Sequence, residues 1–227
     1  MEEYDYFINQ YFPLSHIIDN AKNIYCLVCE NNLISKIMLK YINLNVAYTN
    51  MEKLVFYRRF RDGINKILLY LPINEEIGIY ACMRYSIEQF LKFIYAIYFD
   101  ESIERIARVS YRHIKEDIKE NVEIAGEIKK ELQKVYTYYA KYSNDIHAKE
   151  FEEDEELISL GKIIKSKNEY ANDIETDLRN ILNSSYRTMQ AIFSVKYEML
   201  EASERINIEN FPSSKGKKRI YEILDYK

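Results

Sequence analysis

With 227 residues, of which 48% are hydrophobic and 30% charged, the chain has the length and composition of one globular domain and not those of a disordered segment. A formal net charge of −4 excludes a strong global attraction to nucleic acid or anionic membrane, so any such binding has to be local. Only 5 Gly and 3 Pro occur, and this scarcity disfavours an all-β fold, because hairpins and tight turns need these residues.

Apolar residues recur at three- and four-residue steps along nearly the whole chain, a period that predicts helices and almost no strand. Pro72 ends one of these helices, because proline disfavours helical backbone in the residue before it. After an N-terminal aromatic stretch we expect, in chain order, helices at Asp19 to Leu44, Asn50 to Leu71, Glu75 to Phe99, Ser102 to Val109, one helix or two within Tyr111 to His147, Leu157 to Ile164, and Asn172 or Asp173 to Glu204.

The sequence therefore predicts an all-α fold, an up-and-down helical bundle with additional N- and C-terminal helices. Residues 1–210 form a single helical domain in this interpretation, and 211–227 form a flexible basic tail with a short terminal helix. The acidic N-terminus lacks a basic signal region, and the apolar window Ile77 to Phe99 is interrupted by charges. We accordingly expect a soluble, cytoplasmic protein with no membrane partner.

The predicted helix Glu75 to Phe99 combines the most apolar stretch of the chain with a line of charges. Arg84, Glu88 and Lys92 are four residues apart and therefore share one face of that helix. Charges in an apolar helix have to be paired, hydrated or functional, because an unpaired buried charge is strongly unfavourable. The pattern leaves two interpretations open: a functional site, or a polar seam in which the three charges neutralise one another.

A tyrosine-rich segment at 136–147 carries the second group of candidate residues. Lys141, Asn144 and His147 follow one another at three-residue steps and lie on roughly one face of a helix. His147 is the best candidate for a functional base, since an imidazole titrates near neutral pH and exchanges protons there. The alternative is that His147 only caps or packs the end of its helix.

Together these segments resemble the HEPN superfamily, whose members combine an Arg-x-x-x-Glu helix with a later helix that ends in Ser-x-x-aliphatic-His. Arg84 to Glu88 and Ser143 to His147 carry this resemblance, which extends over about residues 75–149. It implies a helical bundle, here about 50–205, that forms a homodimer and cleaves RNA without a metal ion. It also implies a toxin or abortive-infection (anti-phage) effector that meets a partner or antitoxin protein.

The resemblance also implies roles for individual residues. His147 would be the general acid/base at the ribose 2′-hydroxyl, and Arg84 or Lys141 would stabilise negative charge on the phosphate, with Glu88 orienting Arg84. Asn144 completes this catalytic set. The family places an arginine five to seven residues before the histidine, where this chain has Lys141, which lacks the bidentate fork of arginine.

A cluster of Arg58, Arg59 and Arg61 with Tyr57 and Phe60 predicts contacts to RNA phosphates and stacking on a base, with Lys92 as a further RNA contact. Its alternative is an ordinary solvated helix surface. Cys26 and Cys29 have zinc-like spacing, but no second pair follows, so we expect thiols, no metal site and no cofactor.

The sequence thus supports two functions from different classes. One is a HEPN-like endoribonuclease. The other is a non-catalytic helical module that uses the same bundle to bind a partner protein or nucleic acid. They differ in whether Arg84 and His147 converge on one cleft.

Overall fold

The structure is a computed structural model that describes residues 2–15, 19–44, 51–148 and 170–225. Within these ranges the protein is all-α and contains no strand, as the periodicity predicts. The described α-helices are α1 (Glu2–Tyr11), α2 (Asp19–Leu44), α3 (Leu54–Tyr70), α4 (Glu76–Tyr98), α5 (Ile103–Arg108), α6 (Tyr111–Glu120), α7 (Gly126–Ala148), α8 (Ala171–Phe193), α9 (Ala202–Glu209) and α10 (Ser214–Ile223).

Five long helices, α2, α3, α4, α7 and α8, form a bundle in which each contacts the next and α8 closes back on α2. Helices α4 and α7 are antiparallel, because Tyr80 packs on Tyr142 with ring centroids 5.2 Å apart while the later Arg84 faces the earlier Tyr139. This direction decides which residues of α4 and α7 can meet.

The α3–α4 pair forms the centre of the core. Phe60 packs on Phe90 and Tyr57 on Phe93, with ring centroids 5.3 and 5.1 Å apart, and all four rings are buried. Each such ring contributes roughly 1.5–3 kcal/mol by leaving water. Gly63 lets the helices approach closely, since a Cβ there would lie 2.2 Å from the hydroxyl of Ser86.

Local signals account for several helix boundaries. The chain turns after Leu71, and the Glu75 side chain accepts hydrogen bonds from the first backbone N–H groups of α4. Ser102 and Ser110 cap α5 and α6 in the same way. The segment from Tyr111 to His147 forms two helices, α6 and α7, rather than one.

The last predicted long helix is wrong at its C-terminal end. We expect it to continue to Glu204, but α8 ends at Phe193, where Ser194 adopts a left-handed backbone with φ of 49°. A short 3-10 helix, Tyr197–Met199, and the separate helix α9 follow. Since serine is not a usual residue for left-handed backbone, the sequence offers no glycine that marks this break.

The C-terminal segment, predicted as a flexible basic tail with a short terminal helix, contains the helix α10, and α10 packs on the bundle. Gly216, Ile220 and Leu224 are buried, and the guanidinium of Arg219 binds the carboxylate of Glu30 on α2. Glu30 is only 1% exposed, so this ion pair is largely removed from water. The docked helix contacts α2 and α8.

No helix in the described ranges is long and apolar enough to cross a bilayer. The predicted helix Leu157 to Ile164 lies outside the described residues.

Glu204 links α9 to α2 through hydrogen bonds and makes the free energy of unfolding depend on pH. Its carboxylate accepts hydrogen bonds from Lys40 (3.0 Å), Tyr41 (2.8 Å) and the backbone N–H of Glu201 (2.9 Å). Burial opposes ionisation, but these donors hold the pKa of Glu204 below its ordinary value of 4.5. The charged carboxylate therefore stabilises the fold above pH 4.5, and that contribution is lost as the pH falls through the folded pKa.

We expect Glu204→Gln to lower the free energy of unfolding by about 1.5 kcal/mol at pH 7, because it removes hydrogen bonds to a charged acceptor. In urea titrations the difference from wild type should shrink as the pH falls below 4.5. Glu201→Gln, at an exposed partner of the same Lys40, is the control and should change stability by less than about 0.5 kcal/mol. A Glu204→Gln effect that stays constant with pH would contradict this assignment.

Candidate functional site

Arg84 lies on α4 and packs into the seam with α7. Its guanidinium carbon is 5.4 Å from the centroid of the Tyr139 ring, and Nη2 lies 3.4 Å from the Tyr139 hydroxyl oxygen. Tyr139 in turn stacks on Tyr111 at 3.7 Å. The Nε atom of Arg84 is buried and has no hydrogen-bond partner among the described residues. Arg84 thus forms part of an aromatic stack within one protomer.

Glu88 and Lys92 form an ion pair of 2.7 Å, and no ion pair joins Glu88 to Arg84 in the described part of the chain. The expected orientation of Arg84 by Glu88 is therefore not present. Lys92 is 5% exposed and donates a 2.8 Å hydrogen bond to the carbonyl of Ala107. This places its ammonium inside the fold, where it ties α4 to the end of α5, and it is not accessible to RNA.

Lys141 and Tyr142 share one acceptor on α8. The Lys141 ammonium lies 2.6 Å and the Tyr142 hydroxyl 2.7 Å from the same carboxylate oxygen of Asp177, which is 8% exposed. Although partial burial disfavours the cation, the hydrogen bond to Asp177 holds the pKa of Lys141 above its ordinary value. Lys141 therefore stays charged, but its ammonium is engaged by Asp177 and helps to hold α7 and α8 together.

His147 lies in the last turn of α7, and its side chain is outside the described residues. Arg84 packs opposite Tyr139, which precedes His147 by eight residues, or about 12 Å along a helix axis. Asn144 is exposed on α7 between these positions. The antiparallel packing of α4 and α7 thus separates Arg84 from His147 along the seam of one protomer.

The predicted RNA-binding cluster on α3 divides into two groups. Arg58 and Arg59 are exposed, and Arg61 lies beside Asp62 with an N–O distance of 3.0 Å. Tyr57 and Phe60, by contrast, are 0% exposed. The prediction that they stack on a base is wrong, because a helix with a three- to four-residue repeat turns these two rings into the core.

An exposed aromatic residue on the neighbouring helix was not predicted as part of this surface. Tyr85 on α4 is 40% exposed, and its ring lies against Gly63 of α3, 3.0 Å from where a Cβ would stand. Gly63 shares one side of α3 with Arg59 and Lys66, which are four and three residues away. The sequence could have indicated this exposure, because Tyr85 follows Arg84 and does not lie on the buried face of α4.

The electrostatic character of α3 differs from that of the chain as a whole. Its 17 residues include four cations, Arg58, Arg59, Arg61 and Lys66, and one anion, Asp62, which gives a net charge of +3. The complete chain has a formal net charge of −4. Helix α3 is therefore a local cationic surface on an acidic protein.

The cysteines are free thiols. Burial raises the pKa of Cys26 and of Cys29 above the ordinary value of 9.0, which favours the neutral thiol over the metal-binding thiolate. In the part of the chain that the structure describes, no group of three or more His, Cys, Asp and Glu side chains is arranged to hold a metal ion.

Comparison with known proteins gives no match: no protein-family model, no curated protein and no solved structure is significantly similar to this chain. The function has to be inferred from the chain's own residues.

Proposed function

We propose that the chain is a HEPN-like helical module that binds single-stranded RNA without cleaving it and acts in the cytoplasm as part of a defence or toxin system. The observation that supports this most is the basic face, by which we mean Arg58, Arg59, Arg61 and Lys66 of α3. With Asp62 included, α3 has a net charge of +3, which contrasts with the −4 of the whole chain. Such a local field directs a polyanion to one surface.

Tyr85 supplies the second component of a single-strand binding surface. Proteins of this kind combine cations that neutralise phosphates with aromatic rings on which bases stack, and each stacked base contributes about 1–3 kcal/mol. Tyr85 is exposed beside α3, whereas Phe56, Tyr57 and Phe60 of α3 are buried. Arg59 and Lys66 share a side of α3 with Gly63, on which Tyr85 lies, so we expect one base and its neighbouring phosphates to fit this surface.

The contacts of the predicted catalytic residues support binding rather than cleavage. Arg84 is engaged by Tyr139, Lys92 by Glu88, and Lys141 by Asp177. Moving any of these cations to a phosphate would break contacts that hold helices together. Metal-independent cleavage needs a free cation beside the general base. Within one copy of the chain Arg84 is not such a cation, because Tyr139 engages its guanidinium.

Salt titration tests RNA binding directly. Each phosphate neutralised on single-stranded nucleic acid adds about −0.7 to the slope of log K against log salt, so three net cations predict a slope of about −2. Fluorescence anisotropy of a labelled, unstructured RNA measures this affinity between low and physiological salt. Absence of binding at low salt, or an affinity that does not change with salt, would overturn the proposal.

The second candidate is the metal-independent ribonuclease, completed by a second copy of the chain or by a partner or antitoxin protein. The exposure of Asn144 and the partial exposure of Ser143 favour it, because the last turns of α7 present polar groups to solvent. In a homodimer, His147 would exchange a proton with the ribose 2′-hydroxyl while a cation of the other copy stabilises the phosphate.

A cleavage assay separates the two candidates. Purified protein is incubated with total RNA in EDTA, and His147→Ala is compared with His113→Ala, which alters an exposed histidine on α6. If the ribonuclease exists, His147→Ala should lower the cleavage rate by about 100-fold or more, and His113→Ala should not. Our proposal expects intact RNA with wild type and both variants.

A further inference from the structure

A polar groove of about 350 Å³ lies between α7 and α8, and none of the residues that line it is a candidate site residue discussed above. This volume is near the lower end of the range for small-molecule sites, about 300–1,000 Å³. The side chains that matter for its chemistry are Glu131, Lys134, Tyr138, Asn180, Asn183 and Arg187.

The charges of the groove are unequal. Lys134 lies 2.8 Å and Arg187 3.7 Å from the same carboxylate oxygen of Glu131, so two cations share one anion. The Lys134 and Arg187 side chains are 45% and 68% exposed, whereas the Glu131 side chain is 14% exposed. The groove therefore presents a net charge of +1 to solvent, with its cations at the opening and its anion below them.

Glu131 is ionised at neutral pH. Although burial favours the neutral acid, hydrogen bonds from Lys134 and Ser184 hold the pKa of Glu131 below its ordinary value. The charged carboxylate of Glu131 therefore competes with an incoming anion for both cations.

Neutral polar groups line the rest of the groove. Asn180 donates a 2.8 Å hydrogen bond to the Tyr138 hydroxyl oxygen, which leaves the hydroxyl proton available to another acceptor. The carboxamide of Asn183 makes no hydrogen bond within the described ranges, so it offers both a donor and an acceptor. Carboxamides pair with the edges of nucleobases, and arginine binds phosphate in a bidentate manner.

We propose that this groove binds a nucleoside monophosphate, with the phosphate between Arg187 and Lys134 and the base or ribose on Asn180 and Asn183. Two cations at the opening of the groove suit one phosphate group, and the volume suits one nucleotide rather than a polymer. This site is separate from the basic face of α3 and goes beyond the proposed RNA binding.

Isothermal titration of the full chain with AMP, GMP, CMP and UMP at low salt tests the site, with inorganic phosphate and the nucleosides as reference ligands. At least one nucleotide should bind more tightly than phosphate and than its own nucleoside. Arg187→Gln should weaken that binding about tenfold, because it removes a charged hydrogen-bond donor. Glu131→Gln should tighten it about threefold, because the anion that competes for both cations is neutralised.

Two matched variants complete the design. Arg112→Gln alters an exposed arginine that is likewise paired with a glutamate, and it should leave nucleotide binding unchanged. Arg58→Gln combined with Arg59→Gln should also leave it unchanged, which separates this site from the basic face. Failure of every nucleotide to bind at millimolar concentration, binding no tighter than that of phosphate, or weaker binding by Glu131→Gln would overturn the proposal.

Discussion

Replacing Arg58 and Arg59 together with glutamine is expected to weaken binding of single-stranded RNA about tenfold at low salt and to flatten the salt slope from about −2 to about −0.7. Both side chains are exposed on α3, and neither forms an ion pair with another described residue. Removing them leaves Lys66 and the Arg61–Asp62 pair on the basic face. Fluorescence anisotropy over a salt series measures both the affinity and the slope.

The matched control for this double variant changes two arginines elsewhere. Arg108 and Arg112 are exposed on α5 and α6, so Arg108→Gln with Arg112→Gln alters the net charge of the protein by the same amount. We expect this control to retain nearly wild-type affinity. Equal losses in the two double variants would mean that RNA responds only to total charge, and the basic face would then lose its role.

Replacing Arg219 with methionine is expected to lower the free energy of unfolding by about 3 kcal/mol at pH 7. The substitution keeps most of the side-chain volume but leaves the carboxylate of Glu30, 1% exposed, without its cation. Burial already raises the pKa of Glu30 despite the hydrogen bonds from Arg219. Urea denaturation measured by circular dichroism gives the change.

The pH dependence of this loss has a definite sign. Without Arg219 the folded-state pKa of Glu30 rises further above its unfolded value. The folded state is therefore destabilised at those pH values at which Glu30 is ionised in the unfolded chain. The destabilisation should therefore decrease as the pH falls toward 4.5, where protonation removes the buried charge. A loss that is the same at every pH would show that Arg219 acts through packing alone.

Two variants serve as controls for the ion pair. Lys218→Met alters the adjacent, largely exposed lysine and should change stability by less than about 0.5 kcal/mol. Glu30→Leu combined with Arg219→Met removes both charges and should be more stable than Arg219→Met alone, since apolar replacements for a buried pair are often nearly neutral. If the combined variant is the less stable of the two, the loss does not come from an unpaired carboxylate.

The helices of the described ranges follow from local chemistry and were largely predictable. A few neighbouring residues determine several helix boundaries. Examples are the boundary before Pro72, the acidic start of α4 and the serine caps of α5 and α6. The end of α8 was not predictable in this way, because Ser194 takes a left-handed backbone that glycine usually marks. Docking of α10 likewise depends on Glu30, which is 189 residues from Arg219 along the chain.

The candidate site was predictable in its residue types but not in their partners. Spacing correctly indicates that Glu88 and Lys92 share a face, and the structure pairs them. The contacts of Arg84 with Tyr139 and of Lys141 with Asp177 depend on how separate helices pack, which periodicity does not specify. The exposed position of Tyr85 similarly depends on how α4 packs beside Gly63 of α3.

Where RNA contacts the protein is the question that tests the proposal most directly. Ultraviolet cross-linking of a photoreactive single-stranded RNA to the wild-type protein, followed by mass spectrometry of the attached peptides, answers it. The proposal predicts cross-links at Tyr85 and within α3, lost in the variant with glutamine at positions 58 and 59. Cross-links concentrated at the end of α7 around Asn144 and His147, with none at α3 or Tyr85, would contradict it and favour the ribonuclease.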